Sequence, residues 1–122
     1  MAATPRQLRE TVAVFTRLLG HRIRTVASVQ TALTTLERVA VDIAVLDEDV
    51  GGLTLCRRIR RRAAWQHIYV VVLALIAMDA DAERWYAAGA DACLRKPFDL
   101  RAYRQALEAA VLEVARRRHY TA

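Results

Sequence analysis

The stretch IYVVVLAL, Ile68 to Leu75, decides the fold. Eight residues of this apolarity are too few for a buried helix, and three consecutive valines favour extended backbone. No polar residue alternates with them, so a strand here needs cover on both faces. VDIAVLD, Val41 to Asp47, has the same character and ends abruptly in acid, as a buried strand does where its carboxyl end meets the sheet rim.

Helical patterns surround these two runs. Thr4-Pro5 places a cap residue before a proline at a first helical position, and Leu8, Val12, Phe15, Leu18 and Leu19 recur at helical spacing before Gly20. Arg22 to Ala27, β-branched on alternate residues, predicts a strand. Ser28 then caps a helix whose inner face is Val29, Ala32, Leu33 and Leu36. After the DEDVGG turn a helix runs from about Leu53 to Arg62, with Leu55, Cys56, Ile59 and Ala63 as its apolar members. A further helix covers roughly Ala80 to Ala88 and stops at Gly89. Ala92 to Leu94 is a short strand before Lys96-Pro97. Asp99 caps a last helix with Leu100, Tyr103, Leu107, Val111 and Val114 on one face.

Strands alternating with helices predict an α/β fold: a doubly wound parallel sheet flanked by helices, in one domain spanning residues 1–122. Ligands of such sheets sit beyond the carboxyl ends of the strands, where Asp47, Ala74 and Lys96 fall.

Composition bounds the function. The chain is 55% hydrophobic and 26% charged, a globular balance, and no apolar run approaches the roughly 18–20 residues that span a bilayer. MAATPRQLRE is polar and lacks the apolar centre of a secretory signal, so a cytoplasmic location is expected, with no membrane partner. Cys56 and Cys93 show no CxxC spacing, and His21, His67 and His119 are scattered, so neither a disulfide nor a zinc site is expected. The net charge of +6 points to anionic partners, but the basic residues are arginine with one exception, in an alanine-rich chain, and this compositional bias dilutes the signal. That exception is Lys96, where a compact ammonium has been retained.

From about Ile23 to Ala115 the chain resembles the receiver domains of response regulators in two-component signalling. DIAVLD, GLTLCRRIR and above all AGADACLRKPFD carry the resemblance. It implies a phosphoryl switch: an aspartate ending one strand takes phosphate from a histidine kinase, an acidic pair after the first strand holds Mg²⁺, a hydroxyl residue contacts the phosphoryl group, and a lysine neutralises it. On this chain Asp47 matches the phosphoacceptor and Lys96 the lysine, and the peptide bond before Pro97 is expected to be cis.

The departures are as informative. The hydroxyl position falls on Ala74 and the aromatic switch position on Cys93, and the DEDVGG turn is about three residues short. No strand ending in two acids precedes Pro5. A rival reading of Thr11 to Thr16 as that strand leaves too few residues for a parallel crossover. Mg²⁺ is then offered Asp47, with Asp49 or a backbone carbonyl, less anionic charge than a hard octahedral ion wants. The resemblance with these departures implies an atypical, non-enzymatic receiver that acts mainly through protein–protein contact, with poor or no phosphorylation. Its implied partners are a histidine kinase or an output domain, in a phosphorelay or in transcriptional regulation. With its first strand missing, a homo-oligomer (a dimer, for example) or a rearranged sheet is expected.

Two alternatives stay open. One is a working phosphoacceptor on Asp47. The other is nucleic-acid binding through Arg57, Arg58, Arg60, Arg61 and Arg62 on the third helix, for which a merely solvated face is the competing explanation. Trp85, Tyr86 and Tyr103 are candidates for an interaction surface, with core packing as the other reading. No phosphate-binding glycine loop, serine-hydrolase elbow or zinc-protease pattern occurs.

Overall fold

A computed structural model describes residues 5–120. The elements run α1 (Pro5–Leu18), α2 (Val29–Arg38), β1 (Ile43–Asp47), α3 (Gly52–Arg61), β2 (Tyr69–Ala74), α4 (Asp79–Ala87), β3 (Ala92–Arg95) and α5 (Leu100–Tyr120). Among the described residues the sheet has three parallel strands in the order β1-β2-β3.

β2 is the central strand and all six of its residues are buried. Burying each of Val70, Val71 and Val72 contributes about 1.5–3 kcal/mol, so this strand anchors the fold. Its two faces enter different clusters. Val70, Val72 and Ala74 meet Leu33, Leu55, Ile59 and Trp85 from α2, α3 and α4. Tyr69, Val71 and Leu73 meet Ala110 of α5 with Leu8 of α1 beside them. Helices therefore cover both faces, as the unbroken apolar run required.

Local signals act as expected at several ends. The Ser28 hydroxyl accepts the Thr31 amide at 3.1 Å and the Asp99 carboxylate accepts the Ala102 amide at 2.8 Å, each capping a helix. Thr4, the cap expected for α1, lies outside the described residues. Element ends elsewhere differ from expectation by a residue or two.

The expectations for Arg22 to Ala27 and for the face of α5 are corrected. Arg22 to Ala27 is not a strand: the segment lies outside the sheet, and no backbone hydrogen bond joins it to β1. Its alternation is a local property, whereas a strand also needs a neighbour to pair with. Thr11 to Thr16 lies within α1, which removes the rival reading of that segment. On α5, Leu100 and Val111 are more than a third exposed, while Tyr103, Leu107 and Ala110 carry the buried stripe.

Candidate functional site at the strand ends

Two strands deliver the polar residues of the site. β1 ends at Asp47, paired in register with Leu73 of β2. β3 ends at Arg95, opposite Ala74, and the next amide, that of Lys96, donates to the Ala74 carbonyl at 2.8 Å. This last bond fixes where the lysine leaves the sheet. The Lys96-Pro97 peptide is cis, as expected.

The Lys96 ammonium donates to Asp47 Oδ1 at 2.7 Å and to Asp49 Oδ2 at 3.0 Å. Asp47 Oδ1 also accepts the Asp49 amide at 2.9 Å, a local turn that folds the DEDV segment back over the strand end. The lysine and Asp47 side chains are only 14% and 13% exposed, against 52% for Asp49, so the first pair is the shielded one. Burial alone would lower the Lys96 pKa, but its hydrogen bonds to Asp47 and Asp49 outweigh that and the net shift is upward.

Ala74, at the position where a hydroxyl was to contact phosphate, is fully buried and offers a methyl group. Beside it lies a contact that the sequence reading missed. Glu48 accepts the Leu75 amide at 2.7 Å, so the middle acid of DEDV stitches the end of β1 to the end of β2. A carboxylate one residue past a strand could have signalled this, but its partner lies 27 residues away.

Mg²⁺ fits this donor set poorly. Lys96 already bridges Asp47 and Asp49, and among the described residues no group of three or more acidic, histidine or cysteine side chains is placed to hold a metal. Two carboxylates with an ammonium between them leave about one net negative charge, less than a hard six-coordinate ion takes from its site.

A second charged cluster lies at the opposite ends of the strands. Asp91 accepts Arg60 Nη2 on Oδ2 and Arg117 Nη2 on Oδ1, both at 2.7 Å, and its Oδ2 also accepts the Val70 amide at 2.8 Å. Arg60 Nε further donates to the Gly89 carbonyl at 2.8 Å. One carboxylate thus ties α3, β2 and α5 together. Arg60 faces inward here, and Arg62 pairs with Glu37 and stacks on the Trp65 ring at 4.2 Å. Of the five arginines, Arg57, Arg58 and Arg61 are exposed on α3.

The aromatic candidates separate. Trp85 is 2% exposed in the core, and its indole N–H lacks a partner among the described residues. Tyr103 is 1% exposed, shares a 2.7 Å hydrogen bond with Thr16 and stacks on Phe98. Neither belongs to a surface, because the apolar stripes of α4 and α5 turn them inward. Tyr86 is half-exposed.

The response regulator receiver domain model matches residues 4–108, most of the chain. The chain belongs to the response regulator receiver family. Solved structures with the same fold include NtrX from Brucella abortus, at 24% identity and a TM-score of 0.82 over 93% of this chain. The chemotaxis response regulator CheY4 of Vibrio cholerae shows 19% identity and a TM-score of 0.79, covering 84% of this receiver and 88% of CheY4. A two-component response regulator from Clostridium difficile shows 21% identity and a TM-score of 0.76, with 88% of each chain covered. The receiver spans about a quarter of the NtrX chain, 26% of its length. No curated protein matches it. Among the described residues no helix is long and apolar enough to cross a membrane.

Proposed function

We propose that this receiver is a signalling module that works mainly by protein–protein contact and takes phosphate on Asp47 poorly or not at all. One observation carries the reading: the Lys96 ammonium is held between Asp47 and Asp49. It occupies both carboxylates that a divalent cation would need, and the methyl of Ala74 offers no hydroxyl to a phosphoryl group. Phosphoryl transfer is catalysed by positioned cations and donors, and two of those contributions are lacking at this rim. The partner is a histidine kinase or an output domain, in two-component signalling.

The test is incubation with acetyl phosphate and Mg²⁺ followed by intact mass measurement. The reading expects the unmodified mass to dominate. A stoichiometric phosphoryl adduct that disappears in Asp47→Asn would instead establish the second reading, a working phosphoacceptor. What favours that second reading is the 2.7 Å contact between Lys96 and Asp47, which pairs the two residues a phosphorylated receiver uses.

A further inference from the structure

The segment after Asp47 is short and tightly drawn. A single 3₁₀ turn, Glu48–Val50, leads through Gly51 into α3 at Gly52. Gly52 makes a close approach: a Cβ there would stand 2.6 Å from the Asp47 carbonyl oxygen. Both acids of the turn then reach donors on other strands. Glu48 accepts the Leu75 amide at 2.7 Å, just past the end of β2 and one residue beyond Ala74. Asp49 accepts the Lys96 ammonium at 3.0 Å, just past the end of β3.

A main-chain N–H at a strand end and a shielded ammonium are donors of the kind an oxyanion seeks. Here each is taken by a carboxylate of the same turn. Tethering favours that arrangement, because a carboxylate fixed a residue or two from the rim competes at a far higher effective concentration than a free anion. Charge acts in the same direction. The hydrogen bonds join the carboxylates of Asp47, Glu48 and Asp49 to one ammonium and one amide, so the assembled group is net negative and repels an incoming anion.

We infer that this turn is an internal plug: Glu48 and Asp49 hold, with their own carboxylates, the Leu75 amide and the Lys96 ammonium against any tetrahedral oxyanion. The plug ties β1 to both β2 and β3 with links of the kind a bound oxyanion would supply. It rests on the proposal that Asp47 takes phosphate poorly or not at all, and adds an anion side to the exclusion that the Lys96 bridge imposes on cations. Glu48 is the residue that the plug needs and the Lys96 bridge does not.

The probe is sulfate, titrated at constant ionic strength without divalent cations and followed by NMR at the Leu75 amide and the Lys96 side chain. Asp47→Asn is present throughout, so that phosphorylation plays no part. Asp47→Asn alone, with the plug intact, is expected to show no saturable shift. Adding Glu48→Ala and Asp49→Ala is expected to give saturation, with sulfate bound about tenfold or more tightly than by the plugged protein. Glu48→Gln with Asp49→Asn keeps the side-chain shapes without their charge and is expected to fall between the two. If the alanine protein loses the native amide pattern of Val70 to Val72, the amide variant decides, and binding no tighter than that of Asp47→Asn alone overturns the inference. So do equal sulfate responses in plugged and unplugged proteins, a response confined to α3 with its exposed Arg57, Arg58 and Arg61, or Leu75 amide exchange no faster in Glu48→Ala than in wild type. Failure here is separable from failure of the proposed function, which only a phosphoryl adduct on the wild-type protein would bring about.

Discussion

Lys96 and Asp47, 49 residues apart in sequence, meet at 2.7 Å with both side chains largely shielded from water. Removing the cation leaves a carboxylate that lost part of its hydration on folding and that, among the described residues, has no other ion pair. Lys96→Ala is expected to lower unfolding free energy by about 1–3 kcal/mol, below the range of a fully buried pair because some solvent remains. Lys96→Arg should not restore it, since a planar guanidinium cannot sit as a point charge between two carboxylates. Urea unfolding of the three proteins checks this, and a Lys96→Ala loss below about 0.5 kcal/mol contradicts it.

The same pair has a pH signature. The Lys96 pKa is raised in the folded protein, once the hydrogen bonds it donates to Asp47 and Asp49 have overcome the opposing effect of burial. A raised pKa means that the contribution is complete below the unfolded lysine value and fades as pH climbs through the folded one. The Lys96 contribution to stability is therefore constant near neutrality and is lost as the pH climbs into strong alkali. Observing the Lys96 side chain by NMR should give a titration midpoint above that of an ordinary lysine, and Asp47→Asn should bring it down.

Asp91 is expected to matter more for stability than any other surface-facing acid. It holds Arg60, Arg117 and the Val70 amide at once, so Asp91→Ala takes the shared carboxylate from both guanidinium groups, leaving Arg60 the Gly89 carbonyl and Arg117 its pair with Glu113, and removes the acceptor of a strand N–H. The expected loss is about 2–4 kcal/mol, measured by urea unfolding, against less than about 1 kcal/mol for Glu10→Ala, whose exposed pair with Arg6 is an ordinary helix-surface contact.

Gly89 and Gly20 provide a paired test of backbone and packing. Both have positive φ, +109° and +92°, which costs any other residue about 1 kcal/mol or more. A Cβ at Gly20 meets open space, whereas one at Gly89 would land on the Arg60 side chain where it crosses to Asp91. Gly89→Ala should therefore be the more destabilising of the two by about 1 kcal/mol or more. Equal thermal unfolding shifts for the two variants would contradict this.

Much of the fold was legible because β2 and β1 are apolar without alternation, a pattern that only a two-sided cover satisfies. Asp47 and Lys96 were legible through the resemblance, and the structure brings them into contact. The segment Arg22 to Ala27 was misread because alternation is visible in one segment while pairing requires two. Trp85 and Tyr103 were ambiguous for a related reason: an aromatic residue on a helix shows its face only once the neighbouring elements are placed. Glu48 and Asp91 escaped notice because each acts on amides or arginines more than 20 residues away, and no local spacing announces such partners.

Lys96 sits on the charge that a divalent cation would use, and Mg²⁺ titration followed at the amides of Asp47, Glu48 and Asp49 asks whether it keeps the cation out. The wild-type protein is expected to show no saturable shift at millimolar Mg²⁺, while Lys96→Ala, with both carboxylates released, binds measurably better. Saturation of the wild-type signals, with Asp47 and Asp49 moving together, would mean that the ammonium does not exclude the cation.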